Sequence, residues 1–208
     1  PTGFKLTFRR RQTVFHADEP AVRLYEVSEG VLMVFKLLSD GRRQIVEIVP
    51  RGWICGFASR GVYDGSCEAL TNATVMAYSR AELEAGDPVR SQLLHQAEHQ
   101  FCALHEHTMT LGRKAAEERL ATFLMRFIPG RGIQGCSGPT GPADTFQVHI
   151  PLTRAEIADY LGLTLETVSR MLTTLMHKGL INVGPGQGAI LVNNVCRLCA
   201  AAHTGHNE

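Results

Sequence analysis

Apolar positions change rhythm along the chain, and each change marks a different kind of element. From Lys5 to about Ser79 they come in short alternating runs: LTFRRRQTVF, VRLYEVSEGVLMVFKLL, RQIVEIVP, WICGFA and ALTNATVMAYS. Turn formers separate them at Ala17 to Pro20, Ser28 to Gly30, Ser39 to Gly41 and Asp64 to Ser66. Alternation puts successive side chains on opposite faces of a strand, so many short strands with regular turns predict an antiparallel barrel or sandwich. A helical period then takes over, first as a short helix near Ala81 to Ala85 and, after Asp87-Pro88, as one long helix over roughly Val89 to Phe127. Within it Leu94, Ala97, Phe101, Leu104, Thr108, Leu111 and Ala115 recur at alternating intervals of three and four, the seam of a coiled coil, with Thr108 its weak position. Such a stripe packs either on the chain's own strands or on a second copy.

Pro129 to Pro142, rich in Gly and Pro and carrying Cys136, has no period and reads as a linker. A compact pattern follows from Pro151 to Asn193. Leu152, Ile157, Tyr160 and Leu161 predict a short amphipathic helix, and Thr153 and Glu156 have capping-box spacing at its start. Gly162 permits a tight turn. Thr164 is placed to cap a second helix, Leu165 to His177, whose Val168, Leu172 and Leu175 face inward. Gly179 ends that helix, and Leu180 to Val183 and Ala189 to Val192 flank a Gly-Pro-Gly-Gln-Gly turn as a two-stranded wing.

A helix of this kind fits the major groove of DNA, with residues near its N-terminus reaching base edges. Glu166, Ser169 and Arg170 share one face there, away from the inward stripe, with Thr164, Leu165, Thr167 and the first helix's Thr153 close by. Arg can grip guanine with two bonds, Glu accepts from the cytosine amino group, and Ser meets thymine. Alone, Glu166 and Arg170 would read as a solvated helix face. Inside a capped helix-turn-helix followed by a wing they read as a DNA-binding surface, and a two-fold dimer along the long helix would then explain reading a palindrome.

The run EIADYLGLTLETVSRMLTTL resembles the DNA-binding helices of the CRP/FNR superfamily of bacterial transcription regulators. Its E-x-x-S-R core resembles the FNR and FixK branch, for which the implied half-site is TTGAT, repeated as TTGAT-N4-ATCAA. SEGVLMVFKLLSDGRRQIVEIVPRGWICGF is similar to the family's sensor barrel, and LGRKAAEERLATFLMRF to the end of its dimer helix. The implied architecture is α+β: a jelly-roll antiparallel β-barrel of cyclic-nucleotide-binding type over 1–86, a dimerisation helix over 87–128, a linker over 129–142 and a winged helix-turn-helix over 143–208. Implied partners are double-stranded DNA, a second copy of the chain and RNA polymerase. The function implied is a homodimeric regulator, read as an activator.

The resemblance does not extend to the family's known ligand sites. Where cyclic-nucleotide-binding relatives hold ribose and phosphate, this chain aligns Gly56, Ser66 and Cys67, which lack the phosphate-binding Arg. Phe57 stands where haem-containing relatives place a His, although Pro1 could serve as an axial ligand, and Met76 stands at the barrel cysteine of the FNR cluster. No cofactor is therefore expected. The alternative is a ligand- or redox-gated regulator whose effector, haem or N-terminal iron–sulfur cluster is not evident in this chain. The chain opens on Pro-Thr-Gly with no initiator Met and no leader, read as a cytoplasmic protein that has lost residues at its start.

Charge adds little, because the net value of +1 gives no nucleic-acid-seeking field. Lys5 and Arg9 to Arg11 read as a solvated strand face. Arg154, Arg170 and Lys178 are offset by Glu156, Asp159 and Glu166, so affinity should lean on backbone amides, helix N-termini and dimerisation. No apolar run is long enough to span a bilayer, and no nucleophile, base and orienter stand at the spacing an enzyme needs. Among the six cysteines, Cys55, Cys67 and Cys102 read as core. Cys196, Cys199, His203 and His206 form C-x2-C-x3-H-x2-H, but zinc fingers separate the two pairs by about a dozen residues, and the tail reads as a frayed terminus rather than a metal site. His95, His99, His105 and His107 read as a solvated helix face.

Overall fold

The alternating runs fold as ten strands: β1 (Phe4–Phe8), β2 (Thr13–Phe15), β3 (Arg23–Glu29), β4 (Val31–Leu37), β5 (Arg43–Pro50), β6 (Ile54–Cys55), β7 (Ala58–Ser59), β8 (Val62–Tyr63), β9 (Ser66–Ala69) and β10 (Ala73–Ser79). Helices α1 (Arg80–Glu84), α2 (Val89–Arg113) and α3 (Ala116–Met125) follow. After them come β11 (Phe146–His149), α4 (Arg154–Leu161), α5 (Leu165–His177), β12 (Ile181–Val183), β13 (Ala189–Val192) and α6 (Val195–Ala201). The computed structural model describes residues 3–86, 88–131, 136, 138, 144–186 and 188–203, so most of the expected linker, and His206, lie outside it. Two compact units are present, one within 1–106 and one within 107–208, and the division falls inside α2.

In the first unit the strands form two antiparallel four-stranded sheets, ordered β1-β10-β3-β6 and β2-β9-β4-β5, with a small β7-β8 hairpin. Their inner faces enclose Phe15, Tyr25, Val27, Leu32, Val49, Cys55, Tyr63, Cys67 and Val75. Phe15 stacks on Tyr63 at a centroid distance of 4.0 Å. The sheets do not close into the single barrel expected from the strand pattern. Strand β6 is only two residues long, and the backbone groups of its Ile54 are taken by a side chain: Ile54 N–H donates to Gln100 Oε1 at 2.8 Å, and Gln100 Nε2 donates to Ile54 O at 2.7 Å. Gln100 Nε2 also donates to Glu47 Oε1 at 2.8 Å, so a buried carboxylate and a buried amide satisfy each other beside the core. Gly30, at φ +80°, turns β3 into β4, and a Cβ there would meet Asn72 O at 2.3 Å. Arg9 to Arg11 are exposed, as expected, but lie beyond the end of β1 rather than on a strand.

The expected single helix from Val89 to Phe127 is two helices. α2 ends at Arg113, and Ala115 is extended at ψ 164° as the N-cap of α3. Ala115 has no capping side chain, so Glu118 Oε2 reaches back to accept from its N–H at 2.7 Å, while Arg119 Nε donates to Lys114 O at 2.9 Å. Ala115 therefore cannot continue the helical seam. In the second unit, Leu120, Phe123 and Leu124 of α3 pack in a core with Ile157, Leu161, Val168, Leu175, Val192 and Leu198. The wing has three strands in the order β11-β13-β12 rather than two, because FQVH supplies a partner for the free side of β13. The tail is not frayed through 201: Asn194 accepts from Arg197 N–H and caps α6, whose Leu198 is fully buried.

His107 corrects the solvated-face reading of its helix. It is 7% exposed, its ring stacks on Tyr160 at 4.0 Å, and its Nε2 has no hydrogen-bond partner among the described residues. Burial, and then the Arg126 charge, push its pKa down to about 4. The folded protein holds the ring neutral, whereas the unfolded chain takes up a proton below the ordinary value of 6.5. Stability that is complete above that value is lost as pH falls towards the folded value. Urea titrations at pH 7 and 5 should show a lower midpoint at pH 5, and His107→Phe, which keeps the stack, should flatten that difference; an undiminished difference would assign it to other groups.

Candidate nucleic-acid interface

α4 begins as its sequence predicts. Thr153 Oγ1 accepts from Glu156 N–H at 3.2 Å, and Glu156 Oε2 accepts from Thr153 N–H at 2.7 Å, which satisfies two orphan donors reciprocally. Gly162 adopts the left-handed conformation at φ 61° and turns the chain into α5. Thr164 Oγ1 accepts from Thr167 N–H at 3.2 Å and lies 3.1 Å from the Thr167 hydroxyl. α5 ends in a Schellman motif: Gly179 N–H donates to Met176 O and Leu180 N–H to Leu175 O, with Gly179 at φ 66°. Lys178 anchors that end to α3 through Glu117, with Nζ–O distances of 2.6 and 2.8 Å. Val168, Leu172 and Leu175 are buried beneath.

The opposite face of α5 is open. Glu166 and Arg170 are exposed, Ser169 is half-buried between them, and Thr164 and Leu165 are exposed at the N-terminus with Thr167 half-buried. The Arg170 guanidinium makes no hydrogen bond or ion pair among the described residues, so it is free to meet a partner. Its own backbone N–H and the Thr164 hydroxyl hold the Glu166 carboxyl below the ordinary carboxylate range, which keeps it an acceptor. Thr153 stands exposed at the start of α4. Of the cations expected near this surface, Lys178 is committed to Glu117, leaving Arg154 on α4 and Arg170 on α5 as its exposed arginines. Sequence reasoning missed that commitment, since Glu117 lies 61 residues away.

The expected seam residues divide. Leu94 and Phe101 are each 61% exposed. Ala97, Leu104 and Leu111 are half-buried, and Thr108 is exposed. Ala97 packs against a small cluster with Leu83 and Leu93 in the first unit, so α2 presents one stripe inward and another outward. Cys102, expected in the core, is exposed on α2 because the inward stripe runs through Leu93 and Gln100 instead. Cys196 and Cys199 lie on α6. Cys196 Sγ lies 3.0 Å from Arg131 Nη2, and its N–H donates to Asp144 Oδ2; Arg131 and Asp144 are themselves paired at 2.9 Å. His203 Nδ1 lies 2.8 Å from Cys199 O. Among the described residues no three of His, Cys, Asp and Glu gather as metal ligands. Of the sensor positions, Cys67 points into the sandwich core, Ser66 Oγ accepts from Ala17 N–H at 3.0 Å, and Phe57 is exposed.

Two family models match this chain: a cyclic nucleotide-binding domain over 5–85 and a Crp-like helix-turn-helix domain over 118–201. The nitrogen fixation regulation protein FixK of Bradyrhizobium diazoefficiens is 35% identical over 193 residues, 91% of this chain and 78% of the relative. The chain belongs to the FixK-like CRP/FNR regulators. The structure of FixK2 from Bradyrhizobium japonicum agrees, with a TM-score of 0.79 at 32% identity over 99% of this chain and 98% of that one. A further relative is the transcriptional activator protein FnrL of Cereibacter sphaeroides, 30% identical over 200 residues, 94% of this chain and 79% of the relative. This CRP/FNR member is thus a DNA-binding transcription regulator and not an enzyme, with the open face of α5 in its helix-turn-helix. No described helix is long and apolar enough to cross a membrane.

Proposed function

We propose that this FixK-type regulator works as a homodimer that reads a TTGAT-N4-ATCAA-like palindrome and activates transcription through contact with RNA polymerase. The observation that carries the reading is the face of exposed Glu166 and Arg170, with half-buried Ser169 between them, on a helix capped by Thr164, stopped at Gly179 and anchored at that end through Lys178. Arg170 grips the half-site guanine through O6 and N7, Glu166 accepts from a cytosine amino group, and Ser169 meets thymine. Thr164, Leu165 and Thr167 approach the backbone beside the α5 N-terminus, and Thr153 does the same at α4. The outward stripe of Leu94, Phe101 and Thr108, flanked by Ala97, Leu104 and Leu111, forms the two-fold contact that spaces the two reading helices.

Binding needs no cyclic nucleotide in this reading. Cys67 lies in the sandwich core, the Glu47–Gln100 pair closes on itself beside it, and no arginine aligns with the phosphate-binding position. The test is a fluorescence anisotropy titration at fixed salt, comparing the palindrome with a scrambled duplex and adding no effector. Specific binding of at least about a thousandfold over the scrambled duplex is expected. Equal binding to both would reject the ligand-free reading and favour a regulator gated by an effector.

A further inference from the structure

Cys55 of β6 and Cys67 of β9 are both fully buried and face each other from opposite sheets, with their Sγ atoms 3.8 Å apart. As packing residues they are small hydrophobes, but two sulfurs in contact across a sandwich are also a dithiol. A disulfide needs about 2.05 Å between the sulfurs, so closure requires one strand to move by less than 2 Å or a side chain to rotate, about a rotamer change. The strands differ in their freedom to do so. β9 is held on both sides, by β2 and β4. Among the described residues β6 pairs with β3 alone, through two residues, and the Gln100 amide holds Ile54, next to Cys55.

We propose that Cys55 and Cys67 form a reversible disulfide when a small hydroperoxide reaches them, and that closure draws β6 inward and pulls on α2 through Ile54 and Gln100. One thiolate attacks a peroxide oxygen and the O–O bond breaks, giving a sulfenic acid and, after protonation, water. The second thiol attacks the sulfenic sulfur and expels a second water. Two thiols lose two electrons and two protons, and one hydrogen peroxide becomes two waters. Burial, and then the neighbouring Cys55, push the Cys67 thiol well above the ordinary range. Thiolate is therefore scarce at neutral pH, and the pair answers sustained oxidation rather than a brief pulse, closing faster as pH rises. Because α2 also bears the exposed Leu94 and Phe101, the strain reaches the stripe assigned above to dimerisation; this last leg rests on that reading.

The decisive experiment uses the full chain with Cys102, Cys136, Cys196 and Cys199 changed to Ser, leaving only the buried pair. It is treated with hydrogen peroxide, quenched with an alkylating reagent, and read by intact mass and peptide mapping. A loss of two hydrogens and a cross-linked peptide holding Cys55 and Cys67, both reversed by dithiothreitol, are expected. The unsubstituted chain, mapped alongside, should yield the same cross-link. Palindrome affinity should fall by about tenfold on oxidation, with no such fall when Cys67→Ala removes one partner. Two alkylatable thiols surviving in both proteins, under conditions that fully oxidise a cysteine peptide, would overturn the disulfide. A disulfide that leaves affinity unchanged would overturn the pull on α2. Reduced protein that fails to bind the palindrome would count against the DNA reading alone, because the thiol chemistry is read by mass.

Discussion

Replacing Arg170 by alanine is expected to lower affinity for the palindrome by roughly 1–3 kcal/mol at each half-site, while leaving binding to a scrambled duplex nearly unchanged. With two half-sites the loss is about 2–6 kcal/mol, a factor between about 30 and about 2 × 10⁴. The reasoning starts from where the side chain stands. Arg170 lies on the exposed face of α5 with no ion pair among the described residues, so truncation costs the fold nothing comparable. Arg170→Lys separates base reading from charge. It keeps the cation but not the planar fork, so the slope of affinity against salt should persist while discrimination at the guanine weakens. Loss of affinity that is uniform across all sequences would instead make Arg170 a phosphate contact and move base reading elsewhere.

Placing glutamates at both Leu94 and Phe101 is expected to produce a monomer with an intact fold and to weaken palindrome binding by about 10²–10⁴-fold. Both side chains are 61% exposed, so neither supports the core, and far-ultraviolet circular dichroism should not change. Across a two-fold axis each glutamate would face its own copy or a neighbour of like charge, which adds repulsion to the lost apolar burial. Each monomer would then meet a half-site alone and lose the high local concentration that its tethered partner supplies. Sedimentation velocity checks the first consequence and anisotropy the second. A variant that still sediments as a dimer would place the two-fold contact on another surface.

Local chemistry explains which parts of this molecule could be read in advance. The capping box of Thr153 and Glu156, the left-handed Gly162 and the Gly179 stop each depend on residues within a few positions of one another, and all three form as their spacing implies. Strand alternation likewise survives, down to Ile45, Glu47 and Val49 pointing inward along β5. What escaped the sequence depends on distant partners. The break before α3 rests on a backward reach by Glu118 at an alanine with no cap of its own. His107 looks like any polar helix residue until Tyr160, 53 positions later, presents its ring. The stripe on α2 was visible as a period, but the period could not tell that Leu93 and Gln100 face the sandwich while Leu94 and Phe101 face out. On the open face of α5, the exposure of Arg170 without an ion pair among the described residues, and at its end the engagement of Lys178 by Glu117, are likewise tertiary facts.

The third strand of the wing has a consequence for how the reading head comes into being. β11 precedes α4 and α5 in the chain, yet its partner β13 follows them, with Phe146 opposite Val192. The helix-turn-helix is thus enclosed between two strands that meet only after everything between them has been made. Contacts of such long sequence separation delay folding, because the intervening chain must be ordered before pairing rewards it. During synthesis the two helices emerge before β13, so a chain truncated within the wing leaves β11 without its partner and yields an unfinished reading head.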